Sequence, residues 1–190
     1  MASLYRADLW KHAGSRCEVW VESRSLGSVI QPLCNELAVP LYPSGGFASL
    51  SFIHDAATSI NDEYDGRPLR IFYVGDYDPA GVLIDKKIEQ GIRQHLDPGV
   101  DMTFERIGIT LEQIEQYDLP QKPRKEGDKR SPEIEFTVEA EAMPAHILRA
   151  LLRGRIEALL PPNALQVAKV AEESEREGLR TMAQLFEKGE

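Results

Sequence analysis

The chain has 190 residues, a formal net charge of −9 at pH 7 and 42% hydrophobic residues. This length predicts one domain with a terminal appendage. The acidic balance argues against broad nucleic-acid binding, which needs a basic surface, but it is compatible with a locally basic groove. Two cysteines and four scattered histidines argue against a zinc site. The sequence has no apolar run of membrane-spanning length and no signal-peptide pattern, so we expect a cytoplasmic protein without a membrane partner.

The first part of the chain predicts alternating strands and helices. A strand is predicted over residues 17–21, with Glu22 directly after it, and helical periodicity follows over residues 23–37. A short second strand over residues 39–42 and a helix over residues 47–60 come next. Strands that alternate with helices in this way are typical of an α/β fold with a mostly parallel sheet.

A second strand–acid–helix unit is centred on the stretch from Ile71 to Gly81. Ile71 to Val74 is continuously apolar, as in a central parallel strand that is covered on both faces. Asp76 and Asp78 follow it, and a helix is predicted over residues 80–96. Asp78 stands before Pro79 and is therefore also a good helix cap, but capping does not explain Asp76.

The two aspartates predict a cation site together with Glu22. Carboxylates two residues apart in extended chain point the same way and repel unless a cation lies between them or one is protonated. If the two strands are parallel neighbours, Glu22, Asp76 and Asp78 meet at the carboxyl edge of the sheet, where open α/β sheets bind ligands. Carboxylates suit Mg²⁺ or Mn²⁺, so these three residues are the candidate metal ligands and catalytic groups.

The later part of the chain carries the one basic segment. A strand is predicted over residues 102–107, a short helix capped by Thr110, a fifth strand over residues 134–138, a helix over residues 144–160 and a helical tail after Pro162. Residues 118–133 read as a loop. Its basic residues form either a phosphate-binding arm or a solvated loop. They are Lys122, Arg124, Lys125, Lys129 and Arg130.

These motifs resemble the TOPRIM domain of topoisomerases, bacterial primases and related nucleases. The family pattern is a Glu after the first strand and an Asp-x-Asp after a later one, here Glu22 and the stretch from Gly75 to Gly81. That stretch looks most like the A subunit of topoisomerase VI and its meiotic relatives. Two further stretches, Arg106 to Ile114 and Glu139 to Met143, are similar to the same branch. The resemblance covers residues 17–160.

The resemblance implies a Rossmann-like TOPRIM fold over residues 17–160, preceded by a lead over residues 1–16 and followed by a helical tail over residues 161–190. Topoisomerase VI forms its covalent DNA link through a tyrosine on an upstream winged-helix domain. Sixteen residues are too few for such a domain, so the resemblance supports the metal site rather than strand passage. Ser23 also replaces the Gly that follows the Glu in primases.

Two function classes follow. In the first, the protein is an Mg²⁺-dependent enzyme that cleaves or transfers phosphodiesters of DNA or RNA, with Asp76 and Asp78 on the metal and Glu22 as a ligand or general acid/base. Glu141 either supports a second ion or points to water. In the second, the protein is a non-catalytic module that binds metal and phosphate while another subunit or domain supplies the nucleophile or motor. A phosphoacceptor receiver domain ranks below both.

Overall fold

A computed structural model describes residues 8–45, 50–124, 126–127 and 129–187. The predicted start of the second helix, at Phe47, lies outside these residues. In chain order the elements are β1 (Arg16–Val21), α1 (Arg24–Leu37), β2 (Leu41–Pro43), α2 (Leu50–Asp62), β3 (Leu69–Val74), α3 (Gly81–His95), β4 (Met102–Gly108), α4 (Leu111–Gln116), β5 (Lys122–Pro123), β6 (Phe136–Thr137), α5 (Ala145–Glu157) and α6 (Ala164–Glu187). The strands predicted at residues 17–21, 71–74 and 102–107 are confirmed to within two residues at each end.

The central sheet has four strands in the order β2-β1-β3-β4, and every pairing is parallel. Val21 of β1 stands opposite Val74 of β3, so the carboxyl ends of the two middle strands are level. The expected α/β fold with a parallel sheet between helices is confirmed, and it is compatible with a Rossmann-like arrangement.

Each face of the sheet is covered by a pair of helices. Val19, Val21, Phe72 and Val74 pack on one face against α1 and α5. Trp20, Ile71 and Tyr73 pack on the other face against α2 and α3. Because successive strand residues point to opposite faces, a strand between two layers is expected to be apolar on both faces where the helices cover it. This explains the unbroken apolar run from Ile71 to Val74 in β3.

The helix starts follow local capping chemistry. The Ser23 side chain accepts a hydrogen bond from the Leu26 N–H at the start of α1. The predicted Thr110 cap is confirmed, since Thr110 and Gln113 form a reciprocal capping box at α4. Both caps stand at the carboxyl edge of the sheet, just after β1 and β4, and they fix where the chain turns there.

The region after α4 differs from the sequence prediction. Residues 134–138 do not form a full strand: β6 has two residues and pairs with β5 in a separate antiparallel sheet. The expected loop over residues 118–133 therefore contains strand β5. Val138 instead forms an isolated antiparallel bridge with Tyr77. Through this bridge, the backbone at Val138 pairs with the segment that carries the two aspartates rather than with the central sheet.

The C-terminal helix α6 touches the body through Ala164 and Ala168, while Val167, Val170 and Met182 are exposed. Two residues shortly before β1 also pack on the body: Leu9 is buried, and the Trp10 indole donates to the Leu37 carbonyl oxygen at 2.8 Å. Within the described part of the chain, no helix combines the length and apolar character that a membrane crossing requires.

Candidate active site

Glu22 and Asp76 meet at the carboxyl edge of the sheet. The parallel pairing of β1 and β3 continues past their last residues, since the Glu22 N–H donates to the Val74 carbonyl oxygen at 3.0 Å. The Asp76 N–H in turn donates to Glu22 Oε2 at 2.8 Å. The structure thus brings together the two acids that the sequence placed at the ends of neighbouring strands.

Asp76 is held from the other side by residues near β6. Tyr77 and Val138 exchange two backbone hydrogen bonds, of 2.9 and 2.8 Å. This pairing aligns the Ala140 N–H with Asp76 Oδ1, at 2.8 Å. Burial raises the pKa of Asp76, the Ala140 N–H lowers it, and the negative charges of Glu141 and Asp78 raise it further. Asp76 therefore lies in a cluster of like charges.

Glu141 reaches the same edge and contacts the start of α1. Its Oε1 accepts hydrogen bonds from Ser25 Oγ at 2.6 Å and from Ser23 Oγ at 3.0 Å. Partial burial raises the pKa of Glu141, but hydrogen bonds from Ser25, from its own backbone and from Ser23 outweigh that effect, and the net shift is downward. Glu141 is thus an exposed carboxylate whose Oε1 is held by two serine hydroxyls and whose negative charge acts on Asp76.

Asp78 caps the start of α3. Its Oδ1 accepts from the Ala80 N–H at 2.8 Å and also from the Gly81 N–H. A Cβ atom at Gly81 would overlap the Asp76 carbonyl oxygen, so glycine lets the start of α3 approach the Asp76 backbone closely. Asp78 thus makes the hydrogen bonds that the sequence predicted for a helix cap. These bonds use one of its two carboxylate oxygens.

Glu22 has the most perturbed carboxyl group of the site. The pKa of Glu22 is raised to about 7. Burial is the largest cause, and the charges of Asp76 and Asp78 also raise the pKa, whereas the hydrogen bond from the Asp76 N–H and the charge of Arg106 lower it. A carboxyl group with a pKa near neutral exchanges a proton readily at physiological pH, which suits a general acid or base.

Arg106 is a structural residue of the site to which the sequence assigned no role. Its Nε donates to Asp85 Oδ2 of α3 at 2.6 Å, and both side chains are largely buried. Its Nη1 donates to the carbonyl oxygens of Gly75 at 3.0 Å and Asp76 at 3.2 Å, and its Nη2 to that of Gly81 at 2.8 Å. One guanidinium group therefore binds both ends of the acidic turn, which is the segment from Gly75 to Gly81 that carries the two aspartates. The sequence contains one signal for this interaction: Asp85 is a charged residue on the apolar face of α3 and therefore needs a buried partner.

The Tyr73 hydroxyl lies behind Glu22. It is buried and has no hydrogen-bond partner among the described residues. A Cβ atom at Gly75 would lie 2.6 Å from Glu22 Oε2 and 2.7 Å from Tyr73 Oη, so both oxygens border the space that this glycine leaves open. Burial and the nearby Glu22 charge raise the pKa of Tyr73, so its hydroxyl is a neutral donor. An unpaired buried donor of this kind favours a water or ligand oxygen beside Glu22.

The donor set fits a hydrated cation rather than a closed metal cage. Within the described residues, no three His, Cys, Asp or Glu side chains are close enough together to hold a metal ion as they stand. Backbone N–H groups bond to one oxygen each of Glu22, Asp76 and Asp78. Mg²⁺ commonly binds through one or two carboxylates and keeps several waters. The second oxygens of Asp76 and Asp78 suit that mode of binding.

The basic segment adjoins the acids, but its residues differ in role. Ser131 Oγ donates to the Pro79 carbonyl oxygen at 3.1 Å, which attaches the segment directly behind Asp78. Arg124 donates to the carbonyl oxygens of Ile134 at 2.7 Å and Arg130 at 2.9 Å, so it closes the loop internally. Lys122 pairs with Glu139 at 2.7 Å. Lys129 and Arg130 are exposed, and Lys125 lies outside the described residues.

Comparisons of the chain with protein-family models, with curated proteins and with solved structures found no match. The fold and the site define an α/β protein whose parallel sheet carries an acidic carboxyl edge. The TOPRIM resemblance depends on the motifs and on the placement of Glu22, Asp76 and Asp78 along the chain.

Proposed function

We propose that this protein is a TOPRIM-like, metal-dependent enzyme that cleaves or transfers phosphodiesters of DNA, with RNA as the alternative substrate. One observation carries the proposal: Glu22 lies against Asp76 at the carboxyl edge of two parallel strands, with Asp78 in the same turn. Clustered, partly buried carboxylates repel one another unless one is protonated or a cation lies between them, and a hydrated divalent ion also binds phosphate oxygens. A cytoplasmic location belongs to the same proposal.

The residues have distinct roles in this proposal. Asp76 and Asp78 hold Mg²⁺ or Mn²⁺ through the oxygens that backbone N–H groups leave available, and the bound ion stabilises charge on the reacting phosphate. Glu22 Oε2 is engaged by the Asp76 N–H, so Oε1 is the atom that accepts or donates the proton. A pKa of about 7 allows Glu22 to do either at neutral pH.

Positioning of the nucleic acid is assigned to the basic segment. It is attached next to the turn that carries the two aspartates through Ser131 and Pro79, and its residues Lys129 and Arg130 are exposed. In a chain of net charge −9, a local basic surface of this kind is needed to counter repulsion of the phosphate backbone. Lys125 belongs to the same basic run, while Lys122 and Arg124 chiefly hold the segment in shape.

Cleavage of defined DNA forms tests the proposal. Purified protein is incubated with linear, circular and single-stranded DNA in Mg²⁺ or Mn²⁺, and we expect metal-dependent cleavage of at least one form. Glu22→Gln keeps the shape but cannot transfer a proton, so its rate should fall by roughly two to four orders of magnitude. Glu115→Gln, at an exposed glutamate of α4, is the matched control and should leave the rate unchanged. Absence of turnover on every DNA form, and on RNA under the same conditions, would overturn the enzymatic proposal.

A second function is favoured by a specific observation. Glu22, Asp76 and Asp78 each use one carboxylate oxygen to accept a backbone hydrogen bond. Each carboxylate therefore also stabilises the backbone at the carboxyl edge of the sheet. Such a site serves equally well in a non-catalytic module that binds metal and DNA phosphate for a larger complex, whose other subunits supply a nucleophile or motor. Metal-dependent DNA binding without turnover would favour this module.

A further inference from the structure

A second buried carboxylate lies on β1, away from the acidic edge. Glu18 precedes Glu22 by four residues, about 13 Å along an extended strand. It is 6% exposed and borders a pocket of ≈ 200 Å³ on the α2 side of the sheet. The pocket is also lined by Trp20, Tyr42 and Phe52. It is thus an aromatic pocket with a buried carboxylate, Glu18, in its wall.

Glu18 has no cationic partner in contact with it among the described residues. The Trp20 indole donates to Glu18 Oε2 at 2.9 Å. Arg16, two residues away on the strand, directs its guanidinium to Glu63 instead, with bonds of 2.7 Å to the carbonyl oxygen and 2.6 Å to Oε2. Burial raises the pKa of Glu18, Trp20 and Arg16 lower it, and Glu63 raises it again. Asp55 adds a further carboxylate to the lining.

The aromatic walls suit a positive charge. Tyr42 and Phe52 approach the Trp20 ring edge-on, with ring centroids 5.9 and 5.4 Å away and interplanar angles of 63° and 70°. Tyr42 is 39% exposed, so it stands at the open side of the pocket. Aromatic faces attract cations, and Trp does so most strongly. A buried carboxylate beside such faces is stabilised when a cation enters.

We propose that this pocket binds a small organic cation of the guanidinium or alkylammonium type, with Glu18 as its counter-ion and Trp20 and Tyr42 as its aromatic walls. The volume lies below the range of about 300–1,000 Å³ that is typical of sites for drug-sized ligands, so the occupant is small. The site is independent of the carboxylates at Glu22, Asp76 and Asp78 and of the phosphodiesterase proposal.

The hydrogen bond between Trp20 and Glu18 provides a direct reporter. In a ¹H–¹⁵N spectrum of the full chain, the two indole N–H signals belong to Trp10 and Trp20, and Trp10→Phe assigns them. We expect millimolar methylguanidinium chloride or tetramethylammonium chloride to shift the Trp20 signal in a saturable way. Methylguanidinium is planar and donates hydrogen bonds, whereas tetramethylammonium is quaternary and donates none. Comparing the two responses shows which kind of cation the pocket prefers. A guanosine titration tests for a neutral, base-like ligand.

Variants locate the effect. Glu18→Gln keeps the shape and removes the charge, so the dissociation constant for the cation should rise at least about tenfold. Tyr42→Leu should also weaken binding, while Glu115→Gln should bind like the wild type. The proposal is overturned if the Trp20 signal shows no saturable shift with either cation, if Glu18→Gln binds both as tightly as the wild type, or if guanosine is the ligand that saturates.

Discussion

Glu18 lies on strand β1 and Glu22 follows directly after that strand, and the surroundings of the two glutamates differ sharply. Glu18 accepts a hydrogen bond from the Trp20 indole and lines one pocket together with Trp20, Tyr42 and Phe52. Glu22 lies four residues later beside Asp76, Asp78 and the backbone N–H of Asp76. Burial is the leading cause of the raised pKa at both residues.

The difference shows that a raised pKa has no single functional meaning. At Glu22 the neighbouring charges are negative, so a divalent cation would relieve repulsion among several carboxylates at once. At Glu18 the neighbours are mostly apolar, so a single organic cation would offset the lost hydration of one carboxylate. The two ends of one strand are therefore suited to cations of different charge and size.

The largest expected effect concerns Arg106, which holds the turn beside Glu22 in place through its hydrogen bonds to Asp85 and to the turn's backbone. Arg106→Ala leaves the buried Asp85 without its partner and removes the donors to the Gly75 and Gly81 carbonyl oxygens. We expect the free energy of unfolding to fall by about 3–5 kcal/mol, measured by urea denaturation. Lys122→Ala breaks an exposed pair with Glu139 and should change it by about 0–1 kcal/mol. Equal effects of the two substitutions would contradict the supporting role of Arg106.

The second prediction concerns the response to divalent cations. Asp76→Asn keeps an Oδ1 that can accept from the Ala140 N–H but loses its charge, so the metal-free protein should melt at the same or a higher temperature. Mg²⁺ or Mn²⁺ at about 100 times Kd should stabilise the wild type by about 2.7 kcal/mol and the variant by much less. Calorimetry with and without metal measures both. A normal metal response in Asp76→Asn, or a lost one in Glu18→Gln, would remove the distinction between the two sites.

The third prediction is the pH dependence of stability. Glu22 has a pKa of about 7 in the folded protein, above its ordinary value of 4.5, so the folded state holds the proton more tightly. Its contribution to stability is complete below pH 4.5 and is lost as the pH rises through 7. The melting temperature of metal-free wild type should therefore fall more between pH 5 and pH 8 than that of Glu22→Gln. Added Mg²⁺ should recover part of the loss at pH 8 in the wild type.

The smallest effect is expected at the basic segment. Lys129 is exposed on it, so Lys129→Gln should leave stability unchanged and reduce the salt dependence of DNA binding by about one phosphate contact. Lys169→Gln, on the distant helix α6, is the control. Binding isotherms at several salt concentrations give the slopes, and identical slopes for Lys129→Gln and the wild type would mean that Lys129 contacts only solvent.

Much of the acidic edge could be predicted because it depends on local patterns. The apolar run of β3 and the position of Asp76 after it follow from a strand that is buried on both faces. The level ends of β1 and β3 then bring Glu22 to Asp76. The basic segment was predicted from its charge alone, which does not show that Arg124 closes the loop through backbone carbonyl oxygens.

The sequence by itself determined the alternation of strands and helices, the Thr110 cap and the acids at the strand ends, because each depends on residues a few positions apart. The tertiary structure decided the pairing of Arg106 with Asp85, 21 residues apart, and the contact of Glu141 with Ser25, 116 residues apart. It also decided that Glu18 borders an aromatic pocket, because α2 and β2 must pack beside β1 before that pocket exists. Contacts of this kind form only when separate elements pack together, and no local pattern specifies them.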